Sequence, residues 1–110
     1  MPTATYKVLA QSAPSATTAT DIYTVASATQ VVVSTITVCN RAATAATYRI
    51  AVRPNGATLA NQHYITYDAA VPANDTISLT LGVTADAADV VTVYASSANL
   101  SFNLFGTEIA

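Results

Sequence analysis

Apolar and polar residues alternate with a period of two along most of this chain, and a period near 3.6 is hard to find. In Ala46–Arg53, Tyr48, Ile50 and Val52 fall on one face, and Arg49, Ala51 and Arg53 on the other. In Leu100–Ile109 the apolar face is Leu100, Phe102 and Leu104. The same reading gives strands over Thr5–Gln11, Asp21–Val25, Val31–Asn40, Gln62–Asp68, Thr76–Gly82 and Val90–Ala95, about eight in all. Val31–Asn40 is apolar on both faces, which predicts a central strand covered on both sides for part of its length. The short link Arg41–Ala45 reads as a hairpin connection to the next strand. Thr76–Gly82 reads as half-buried, with Ile77, Leu79 and Leu81 inward. The next segment, Val83–Asp89, reads as a loop or a helical turn capped by Thr84.

Turn chemistry separates these runs. Pro14 stands in a Ser/Thr/Ala loop, Pro54-Asn55-Gly56 opens a wide loop, and Pro72 and Asn74-Asp75 mark another over Ala69–Asp75. Strands at intervals of about 8–12 residues, with no helices between them, predict an all-β fold: a single-domain antiparallel β-sandwich, jelly-roll-like. Residues 1–19 are expected to be an N-terminal strand or arm and loop able to reach a neighbour, and residues 20–110 the sandwich domain.

Composition sharpens this. The chain has 110 residues, enough for one core. Charged residues make up 9%, against about 25% in an ordinary soluble domain. Hydrophobic residues make up 52%, chiefly Ala and Val. Such a surface is either wetted by Thr, Ser and Asn or covered by neighbouring subunits, because depletion of charge marks an interface core. The longest apolar runs are far shorter than a spanning helix needs, so no membrane partner is expected. No secretory leader is read at the N-terminus. The single Cys39 allows no internal disulfide and reads as a small buried hydrophobe.

Chemistry is sparse. His63 is the one histidine, and it reads as a hydrogen-bonded residue at a sheet rim rather than a catalyst. No nucleophile elbow, zinc motif or phosphate loop occurs, so no enzyme activity, cofactor or metal is expected. Asp86 and Asp89 are too few for calcium and read as turn residues. Four basic residues against six acidic ones make nucleic acid a poor partner. Three of those four, Arg41, Arg49 and Arg53, fall within thirteen residues. They read either as charges that protect a sheet from aggregation or as a stripe meeting carboxylates of another chain. Tyr64, Tyr67 and Tyr94 suit a protein contact or a sugar.

The motifs VCNR (Val38–Arg41), AATYRIAV (Ala45–Val52), LANQHYITYD (Leu59–Asp68), NDTISLTLG (Asn74–Gly82), ADVVTVYA (Ala88–Ala95) and FGTEI (Phe105–Ile109) occur in an order that resembles small virion structural proteins of tailed phages. The resemblance covers the chain from about Val31 onward, and more loosely from Lys7. It implies a capsid decoration, or cement, protein that is made in the host cytoplasm and sits on the outer surface of the head. There it would act as a homo-oligomer, a trimer being favoured, bound to the major capsid protein. Under this reading the interface candidates are Arg41, Arg49, Arg53, Tyr64, Tyr94, Asp86 and Asp89. The alternatives are a tail, neck or baseplate component, and a carbohydrate-binding sandwich module.

Overall fold

The computed structural model describes residues 2–110. Nine strands form two antiparallel sheets: β1 (Ala4–Ser12), β2 (Thr20–Thr24), β3 (Gln30–Asn40), β4 (Ala46–Arg53), β5 (Tyr64–Val71), β6 (Thr76–Leu79), β7 (Val83–Ala85), β8 (Val90–Ala95) and β9 (Leu100–Ile109). The first sheet runs β1-β9-β3-β6, with β7 also on β3, and the second runs β2-β8-β4-β5. Pairing is nested around the β4–β5 pair: β3 takes β6 and β7, β2 takes β8, and β1 takes β9. Counting β6 and β7 as one interrupted strand, this is the eight-strand wrapping of a jelly roll. β1 lies at one edge of the first sheet, paired with β9 of its own chain.

The core is the space between the sheets. Val31, Val33, Ile36, Val38, Leu100, Phe102 and Leu104 enter it from the first sheet, and Tyr48, Ile50, Val71, Val91, Val93 and Ala95 from the second. The Tyr48 and Phe102 rings meet edge to face at 6.4 Å, joining the layers. The absence of Trp and the shortage of Phe are offset by Val, whose branched side chain packs well on a pleated surface.

Two departures from the alternation have physical causes. The apolar residues on both faces of β3 do not reflect covering on both sides. The β3–β9 register shifts between Val33 and Thr35. Val31 and Val33 point inward before the shift, Ile36 and Val38 after it, and Ser34 is the extra, exposed residue. The bulge switches the phase and keeps one face in the core. On the partner strand, Gly106 lies so close to Val32 that a Cβ there would sit 2.0 Å from the Val32 carbonyl oxygen. In β8, by contrast, Val90–Val93 are all buried, so this strand is not half-exposed as its pattern suggests.

The link Arg41–Ala45 is not a hairpin. It carries the chain from the first sheet to the second, since β3 and β4 belong to different sheets. Asn40, 1% exposed, holds that corner. Its amide nitrogen donates to the carbonyls of Thr44 (2.8 Å), Val71 (3.3 Å) and Pro72 (3.3 Å), and its oxygen accepts from the Ala42 N–H at 3.0 Å. A buried amide so fully partnered satisfies backbone groups that the crossing leaves without a ladder.

β5 continues through Ala69 and Ala70 to Val71, where a loop is expected from composition. Positive φ at Asp68 (52°) lets the strand bulge and resume. The segment Thr76–Gly82 is not one strand. It stops at Leu79, turns at Gly82 (φ 63°) and resumes as β7, which replaces the expected loop or helical turn at Thr84. Leu81 falls in the interruption and is 45% exposed, not inward.

Candidate interaction surface

The outer faces of the two sheets differ in charge. On the second sheet, Arg49 of β4 lies directly opposite Tyr94 of β8. On its other side the bulge in β5 sets two residues, Tyr67 and Asp68, between the pairs Tyr48–Ala69 and Ile50–Thr66. Both side chains therefore reach the same arginine. The guanidinium lies 4.1 Å from the ring centroids of Tyr67 and of Tyr94. Its Nε donates to Asp68 Oδ1 at 2.7 Å and its Nη2 to Oδ2 at 3.3 Å. Tyr64 meets Tyr67 edge to face at 4.9 Å. The Asp68 hydrogen bond, above all, raises the Arg49 pKa further above its ordinary value.

Arg53 reaches across β8 to β2. Its Nη2 lies 2.8 Å from Asp21 Oδ2 and its Nε donates to Thr92 Oγ1 at 3.0 Å. The Thr92 hydroxyl donates in turn to Asp21 Oδ1 at 2.8 Å. The arginine stem thus covers β8, which explains why the outward Thr92 is 4% exposed. Each arginine of the pair ties neighbouring strands together and meets a carboxylate of its own chain.

The other sequence candidates lie apart. Arg41 donates to the Ala98 carbonyl at 3.1 Å, at the end of the sandwich where β3 finishes. Asp86 and Asp89 form a turn beside the start of β3. Asp89 accepts from the backbone N–H of Asn55 and of Asp86, both at 2.8 Å, and Asp86 accepts from that of Ala87. The structure therefore gathers Arg49, Tyr64 and Tyr94, places Arg53 beside them, and separates Arg41, Asp86 and Asp89. His63 accepts a hydrogen bond at Nδ1 from the Ala60 N–H at 3.0 Å. Among the described residues, no three of His, Cys, Asp and Glu converge on a point. A shallow groove of about 390 Å³ lies between Val32, Thr84, Asp86 and Ile109.

The first sheet is different. The register places Tyr6, Val8 and Gln11 of β1 on its outer face, with Ser101, Asn103, Phe105 and Thr107 of β9. Val32, Thr35, Thr37 and Cys39 of β3 and Thr76 and Ser78 of β6 complete it. No outward side chain of these paired strands is charged. Tyr6 is 85% exposed, Val8 48% and Val32 36%. Lys7 points the opposite way. Its Nζ donates to Glu108 Oε1 at 3.1 Å, and Tyr23 Oη of the second sheet donates to Oε2 at 2.5 Å. The Tyr23 bond, then that of Lys7, holds the Glu108 carboxyl below its usual value. Burial, and then Glu108, pushes the Tyr23 phenol well above its own. Sequence reading passed over this face because its signal is an absence: alternate positions of four strands far apart in the chain all lack charge.

No family model, curated protein or solved structure matches this chain.

Proposed function

We propose that this chain is a structural component of a virus particle, a decoration protein that binds the outer surface of a tailed-phage head and clamps neighbouring shell subunits. The observation that carries the reading is the division of the sandwich into two faces. The outer face of one sheet carries internal ion pairs, and the outward strand residues of the other carry no charge. Such a molecule is suited to being contacted over a broad area. The ordered motifs from Val38 to Ile109 supply the virion context, and the jelly-roll wrapping is compatible with it, although a fold alone names no function. Repetition makes the clamp effective, since many modest contacts on one particle act together.

The test is to mix the purified protein with heads that lack it. Saturable co-sedimentation is expected, with density on the outer shell by electron microscopy and a higher temperature of head rupture. Absence of head binding, or density confined to the tail, neck or baseplate, refutes the placement.

A further inference from the structure

We infer that the outer face of the β1-β9-β3-β6 sheet is where copies of this chain pack on one another. This deepens the structural reading above and rests on it for its setting in a particle. Two observations point to a second copy as the occupant.

First, a surface that meets a copy of itself cannot set like charges opposite each other without repulsion. None of the outward side chains in this face is charged, so no register of two copies is penalised. The second sheet, with Arg49, Arg53, Asp21 and Asp68 outward, lacks that freedom.

Second, the size fits. Three strands about 30 Å long and a shorter fourth row made by β6 and β7, spaced about 4.8 Å apart, make a face near 550 Å², and two such faces bury about 1,100 Å², just above the roughly 1,000 Å² that a specific contact should clear. Its most exposed hydrophobic residues are Tyr6, Val8 and Val32; in the ladder Thr107 lies between Tyr6 and Val32, and Phe105 lies beside Val8.

The experiment is sedimentation or light scattering of the purified chain across micromolar concentrations, with Val32→Lys, Val8→Lys and, on the second sheet, Ile65→Lys. Thermal unfolding checks that each variant is folded. Val8 lies on an edge strand, so its variant remains informative if Val32→Lys fails to fold. The wild type is expected to assemble, each first-sheet variant to weaken assembly at least tenfold, and Ile65→Lys to behave as wild type. A wild type that is monomeric throughout overturns the inference, as do first-sheet variants that assemble normally or a loss confined to Ile65→Lys. Head binding is read in parallel. A monomer that still binds heads refutes this surface and leaves the decoration reading standing, whereas an assembling protein that ignores heads does the reverse.

Discussion

Gly106→Ala tests the packing of the β3 bulge against β9. Ordinarily, alanine in a strand interior is better than glycine by about 0.5–1 kcal/mol, because glycine loses more backbone freedom on folding. Here the sign reverses. The new Cβ would stand 2.0 Å from the Val32 carbonyl oxygen and 3.0 Å from the Val32 carbonyl carbon and Val33 Cα, all backbone atoms that no side-chain rotation can clear. Real Cβ atoms essentially never come closer than 3.0 Å, so the two strands must part by about 1 Å at their tightest point. Val31 and Val33, both 1% exposed, flank that point and would be displaced with it. Overpacking of this kind costs about 3 kcal/mol, a large share of the stability of a small domain. In urea this appears as a midpoint lower by about 2 M, and on heating as a Tm lower by about 12 °C. Gly82→Ala is the control. Its φ of 63° carries strain, but nothing lies within 4 Å of its Cβ, so its loss is held to about 1 kcal/mol. Both are measured at one protein concentration, since association shifts apparent stability. If Gly106→Ala unfolds within about 0.5 kcal/mol of Gly82→Ala, the close-approach argument is wrong.

Asn40→Leu is expected to lose about 2–4 kcal/mol in the same denaturation assay, because it strips partners from buried carbonyls at the crossing between sheets; an unchanged midpoint contradicts that role. The Glu108 site sets two limits on pH. Its depressed carboxyl contributes stability that is full above the ordinary Glu value near pH 4.3 and is lost as pH falls through its lowered value. The raised Tyr23 phenol contributes stability that is full below about pH 10 and is lost as pH rises through its folded value. Glu108→Gln should flatten the acid limb of a Tm-against-pH curve, and Tyr23→Phe the alkaline limb; curves parallel to wild type count against the site. Arg49→Lys, which keeps the charge but loses the planar fork between two rings, is expected to lower Tm more than Arg41→Lys; equal losses speak against the stacked clamp.

Much of the fold was open to reading from alternation alone, because a half-covered strand must place apolar residues at every second position. Leu100, Phe102 and Leu104 are buried as that rule requires. It misled where one residue changed the phase. Ser34 and Asp68 are bulge positions, and nothing in a serine or an aspartate announces a register shift. Leu81 fits the inward pattern but falls where the strand breaks. The burial of Thr92 comes from an arginine four strands away in sequence order, a dependence no local window contains. The pairing of Arg49 with Asp68 and of Arg53 with Asp21 has the same origin. The basic stripe was visible, but Asp21 comes beside it only through the wrapping of β2 onto β8, and Asp68 only through the bulge in β5.

That wrapping also orders events in time. Thr3 and Ala110 exchange backbone hydrogen bonds at 2.6 and 3.1 Å, and Ala4–Ser12 finds its ladder only on Leu100–Ile109. A nascent chain therefore carries β1 without its partner until Leu100–Ile109 has been made, and the first sheet closes only after that segment has left the ribosome. Slow, late closure is the expected behaviour of a topology so rich in distant pairings. A version rejoined through the two ends and reopened in the exposed Pro54–Ala60 loop would make those strands consecutive and let them meet early.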